Sequence, residues 1–174
     1  MPFAATLLAR PHTVGRFRLA AWGRYCEANE LAFATLRQND PALRHGAIYL
    51  FGYVAEMVLK AAYFRLCPTA DPSGEIGVSD MHAARTRATN HFGVLWPGTN
   101  LHYLPGWVHL LTLERQAAGR PYPQQFAIAV QSNTSDIALL WQEVIRYYDS
   151  SPSLAEIGAA HASARWLITQ FPLL

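Results

Sequence analysis

The chain has 174 residues, 51% of them apolar and 15% charged, and a formal net charge of +2. That length predicts one domain spanning residues 1–174, with a core that needs no disulfide or metal staple. The mild charge excludes the concentrated basic surface of a dedicated nucleic-acid-binding domain, and the high apolar fraction predicts surface buried against a second copy, a homodimer.

In chain order, the opening "MPFAATLLARP" has a short apolar run but no basic leader, and Arg10 interrupts it, so it reads poorly as a signal peptide. Thr13 to Gln38 predicts a long amphipathic helix. Phe17, Ala20, Ala21, Tyr25, Ala28, Leu31, Ala32 and Leu36 recur at three- and four-residue spacing, while Arg16, Arg24, Glu27, Glu30 and Arg37 fall elsewhere. Asp40 as N-cap and Pro41 at the first helical position predict a second helix that runs to Cys67, before Pro68. Apolar side chains surround most of it, which places it at the centre of the fold. Its run Ala47 to Leu66 is long enough to span a bilayer, but Glu56, Lys60 and Arg65 would each cost a few kcal/mol inside one; the expectation is no membrane span and a cytoplasmic protein.

From Thr69 to Gly98, Pro72, Gly74, Gly77, Gly93, Pro97 and Gly98 punctuate the pattern and predict an irregular insertion around residues 69–98 with one short helix, Ser79 or Asp80 to Thr89. Leu101 to Ala118 predicts a third core helix, with Leu104, Trp107, Val108, Leu111 and Ala118 on one side and Gly119 ending it. Gln124 to Trp141 is mostly helical by pattern, and the polar "QSNTSD" leaves open whether 124–148 is one helix or two. The last helix starts at an S-x-x-E capping box, Ser153 and Glu156, and carries a stripe of Leu154, Ile157, Ala160, Ala164, Leu167, Ile168 and Phe171. No segment alternates with a period of two and no repeat is present, so the fold class is all-α, an antiparallel, up-and-down bundle of four to five helices.

At about 100° per residue, His45, Tyr49, Gly52, Glu56, Lys60 and Tyr63 share a strip roughly a quarter of the central helix's circumference wide. On an exposed surface the Glu56–Lys60 spacing stabilises a helix by only about 0.2–0.5 kcal/mol. In a core, the same charges must find partners or shift their pKa values, which makes the strip a candidate site. Arg146, set among aromatic residues in "WQEVIRYY" and followed by Tyr147, is the preferred partner for Glu56. A solvent-facing or dimer-facing line of the helix is the plainer reading of the same strip.

The run "HGAIYLFGYVAEMVLKAAYFRL" resembles the signature helix of the HEPN superfamily (higher eukaryote and prokaryote nucleotide-binding), an alanine-rich helix with a glutamate followed four residues later by a lysine. "GTNLHYL", Gly98 to Leu104, is similar to the family's H-x-L-x-x-L segment opening the third helix. "WQEVIRYY" is similar to its tryptophan and Arg-Tyr segment before the last helix, and "GAAHASARWLI" suits that helix. The resemblance covers about two thirds of the chain. It implies a mostly antiparallel bundle that usually dimerises, in toxin-antitoxin, phage-defence or RNA-processing settings, with a cognate antitoxin or partner protein, RNA or a nucleotide as candidate partners. Catalytic members are metal-independent ribonucleases using R-x(4 to 6)-H. Only Arg85 and His91 meet that spacing here, in the insertion rather than late in the domain, and about one or two such matches are expected by chance. Such a pair would work by histidine accepting a ribose 2′-hydroxyl proton while arginine holds the developing phosphorane charge.

Other constellations imply less. Cys26 and Cys67 form no CxxC, and His102 and His109, seven residues apart on one predicted helical face, have no carboxylate at ligand spacing, so no metal is expected. Without GxxxxGK[ST] or GxGxxG, no cofactor is implied. The thirteen arginines suit phosphate contacts, and the five tryptophans read as core and interface anchors. Three readings follow: a HEPN-like module without nuclease activity that binds RNA, a nucleotide or a protein; a metal-independent endoribonuclease using Arg85 and His91; or an unrelated bundle that binds a small apolar ligand or a protein partner.

Overall fold

Two adjacent residues set the start of the central helix. Asp40 accepts a hydrogen bond from the Ala42 N–H at 2.8 Å, and Pro41, with no N–H to satisfy, opens the first turn. The computed structural model describes residues 12–38, 40–141 and 151–174. Among them are six helices: α1 (Val14–Gln38), α2 (Pro41–Leu66), α3 (Val78–Phe92), α4 (Leu104–Ala117), α5 (Gln124–Leu140) and α6 (Leu154–Gln170). There is no strand among these residues, only an isolated bridge between His12 and Ile76 that ties the insertion to the entry of α1. The fold is an all-α helical bundle in which α1, α2, α4, α5 and α6 form the body and α3 lies in the insertion, against α4.

α2 packs against α1, α4, α5 and α6, and 15 of its 26 residues are buried, which makes it the axis of the bundle. Its length and composition would suit a membrane span, yet 83% of the relevant window is buried inside the protein, so its apolar surface is covered by the other helices. The buried apolar residues form one cluster, in which Phe51, Leu59, Trp107, Leu110 and Leu111 are fully buried.

The predicted boundaries shift where side chains compete for the backbone. α3 is longer than expected because Asp80 accepts from the Gly77 N–H at 2.7 Å at its start, and Gly93, at φ +66°, takes the left-handed turn that ends it. α4 begins at Leu104, because Asn100 Oδ1 accepts the His102 N–H at 2.7 Å and curls Leu101–Tyr103 into a turn. His102 and His109 therefore do not share a helical face, and Ala118 lies exposed just past the last turn. α5 is continuous through "QSNTSD": Val130, Thr134 and Ile137 keep the helical period on its buried side, while Gln131, Ser132, Ser135 and Asp136 are exposed. The capping box of α6 forms as its sequence suggests, Ser153 Oγ accepting the Glu156 N–H at 3.2 Å and Glu156 accepting the Ser153 N–H at 2.7 Å. Leu36, expected on the core face of α1, is 65% exposed, because its neighbours α2 and α6 cover the side of α1 marked by Phe17, Ala21, Tyr25, Ala28 and Thr35.

Candidate functional site

Midway along the polar strip of α2 lies a buried carboxylate. Glu56 and Lys60 are separated by one helical turn and are 4% and 2% exposed. Lys60 Nζ donates to Glu56 Oε1, and His102 Nδ1 lies 2.9 Å from Glu56 Oε2, so both carboxylate oxygens are engaged. Burial alone would raise the Glu56 pKa; the Lys60 charge, the His102 hydrogen bond and the His102 charge outweigh it and hold the carboxyl below its ordinary value. An ionised carboxylate can only accept, so in this bond His102 carries its proton on Nδ1. Lys60 Nζ also stands 5.3 Å from the centroid of Trp107, whose ring face adds a further attraction for the ammonium.

His102 reaches Glu56 because two indoles hold its turn. Trp107 Nε1 donates to the Leu101 carbonyl at 2.9 Å and Trp96 Nε1 to the Asn100 carbonyl at 2.7 Å. On its outer side the imidazole meets Tyr53 and Trp141 edge-on, each at 6.2 Å between centroids. Tyr53 packs on Trp141 at 5.6 Å and on Tyr49 at 4.9 Å, and the two tyrosine hydroxyls are 3.0 Å apart. Trp141 can lie this close to α2 because residue 52 is glycine: a Cβ there would sit 2.0 Å from the indole Cγ. His45, one turn before Tyr49, has Nδ1 2.9 Å from the Pro41 carbonyl and belongs to the N-terminal turn rather than to the carboxylate.

The inner end of the strip is a different environment. Tyr63 is buried against Phe64 and Trp107, and burial, then Cys67 and Glu114, push its hydroxyl pKa well up, so it is neutral. Cys67 is likewise pushed up to about 11, by burial first and Glu114 second, which keeps it a protonated thiol at neutral pH. Glu114, 5% exposed, is held by Arg87 in a two-point contact, through Nε and through Nη2 at 3.0 Å.

The two proposed catalytic residues do not meet within one chain. Arg85 and His91 both lie on α3, but six residues turn their side chains about 120° apart. Arg85 Nη1 donates to the Gly98 carbonyl, while His91 is exposed and edge-on to Phe92 at 4.6 Å. Arg146 and Tyr147 lie outside the described residues. His102, Tyr53 and Trp141 complete the site without having been singled out for it; the Asn100-x-His102 pair in "GTNLHYL" was the available signal, since asparagine two residues before a histidine can fold the chain back over it. Among the described residues no group of three or more His, Cys, Asp or Glu side chains could hold a metal ion. No family model, curated protein or solved structure matches the chain.

Proposed function

We propose that this protein is a HEPN-like helical module without nuclease activity, which binds single-stranded RNA or a nucleotide at the outer end of the α2 strip. In this reading it acts as a homodimer in the cytoplasm, in a toxin-antitoxin or phage-defence setting of the kind the sequence resemblance implies. The observation that carries the reading is the aromatic group around His102: Tyr49 and Tyr53 are partly exposed, and His102 and Trp141 pack behind Tyr53. Such rings offer a base a face to stack on without sequence readout, at about 1–3 kcal/mol per base. Glu56 supports the group from below, holding His102 through Nδ1 while Lys60 balances its charge. The endoribonuclease reading is weaker, because general-base and phosphate-clamping groups must face one reacting phosphate, and Arg85 and His91 diverge.

The test is anisotropy of a fluorescent single-stranded RNA in EDTA at physiological ionic strength, with gel analysis of the same RNA. Binding without cleavage is expected, and Tyr53→Ala should weaken it about tenfold or more. The reading fails if neither RNA nor a nucleotide binds, or if cleavage occurs and disappears in His91→Ala.

A further inference from the structure

The side of α1 turned away from the polar strip carries its own pattern. Leu19, Trp22, Cys26, Asn29, Phe33 and Leu36 follow one another at spacings of three, four, three, four and three, which places them in a strip about 100° wide. It is not the core face, which Phe17, Ala21, Tyr25, Ala28 and Thr35 mark. Leu19 is 75% exposed, Trp22 57%, Phe33 58% and Leu36 65%. No charged residue stands at any of these six positions, but Arg18 and Arg37 lie along the strip's two edges, Arg18 over the Phe171 ring at 4.6 Å and Arg37 over the Phe33 ring at 4.7 Å; Arg24 and Glu27 pair with each other at 2.5 Å on another side of the helix.

The order of the six is also symmetric about the point between Glu27 and Ala28. Leu19 answers Leu36, Trp22 answers Phe33, and Cys26 answers Asn29. A two-fold antiparallel contact sets these positions against each other in that way, so side chains of similar size meet across it. Two grooves reinforce the match. One, of about 460 Å³, lies beside Leu19 and Trp22 and is backed by Ile168 and Phe171; the other, of about 350 Å³, lies beside Phe33 and Leu36 and is backed by Leu154 and Ile157. In an antiparallel pairing, Trp22 of each copy faces the second groove of the other, and Phe33 faces the first. The smallest side chains, at 26 and 29, then meet at the crossing point, and the opposed helix dipoles attract.

We infer that the outer face of α1 is a two-fold seam that takes a second copy of this chain, α1 against α1 and antiparallel. The inference rests on the dimeric part of the reading above and supplies the surface for it. The four large side chains expose on the order of 500 Å² per copy, so two copies bring together about 1,000 Å², the lower bound for a specific interface.

Sedimentation velocity on the full chain decides it. The wild type should be a dimer at micromolar concentration, and Trp22→Glu/Phe33→Glu should raise the dissociation constant about 100-fold or more with the far-UV helical signal unchanged. Direction is read by oxidation in a Cys26→Ser background: Leu19→Cys mixed with Leu36→Cys should give a disulfide-linked pair. Each variant alone should not, because its own copies stand about 25 Å apart along the seam. A monomeric wild type removes the seam and the dimeric reading together. A dimer that survives Trp22→Glu/Phe33→Glu removes the seam alone, and self-linking of Leu19→Cys removes the antiparallel arrangement. Loss of RNA binding with the dimer intact bears only on the aromatic group.

Discussion

Glu56 commits one carboxylate oxygen to Lys60 and the other to His102, in a place with almost no access to water. A buried pair of this kind gains little over well-packed apolar side chains, but removing one member strands a charge at about 3–5 kcal/mol. Glu56→Gln and Lys60→Met should each lower stability in urea by about that amount, while the Glu56→Leu/Lys60→Met double variant should recover most of the loss. The pH dependence has a definite sign. The Glu56 carboxyl is held below its ordinary 4.5 in the fold, so its contribution is complete above that value and is lost as pH falls through the lower folded-state pKa. A thermal-midpoint series from neutral to acid pH should fall steeply at its acid end, and less steeply in Glu56→Gln. At this scale the α2 half of the site was legible, because the four-residue spacing of Glu56 and Lys60 is local. His102 was not, since it comes from 46 residues away and depends on a side-chain-capped turn that helical periodicity overrides.

Helices declared themselves where a start or stop residue is chemically specific, as at Asp40–Pro41 and Ser153–Glu156. They were harder to place where a local hydrogen bond competes with the helix, as at Asn100, or where the polar residues of a run merely face solvent, as in α5. Leu36 shows a further limit: an apolar residue at helical spacing does not say which side neighbours will cover. The glycines of α1 and α2 make the same point in energy. Gly52→Ala drives a methyl group into the Trp141 ring and should cost about 1–3 kcal/mol in urea unfolding. Gly23→Ala, within α1 and with nothing inside 4 Å of its added carbon, should stabilise by about 0.5–1 kcal/mol. Opposite signs from one substitution type would show that close approach, not helix propensity, selects glycine at 52.

Across the whole molecule, the insertion is joined to the bundle by the His12–Ile76 bridge, by its buried apolar residues and, among the described residues, by an ion pair between α3 and α4. Glu114 is buried and Arg87 reaches it from the surface with two donors. Arg87→Ala should therefore lower the thermal midpoint more than Arg85→Ala, whose bond is to an exposed loop carbonyl, and adding Glu114→Gln should return part of the loss by removing the stranded charge. The all-α architecture was legible from periodicity alone, and the tie was not, because its partners lie 27 residues apart in different elements. The chain contains a single lysine, and it lies sealed beneath Glu56. Arginine supplies every other cationic side chain apart from the histidines, so the native surface presents no ε-amino group among the described residues. Acylating, ubiquitin-transferring or amine-coupling chemistry meets that nitrogen only when α2 opens, which makes covalent modification at position 60 a clock for unfolding rather than a decoration of the folded protein.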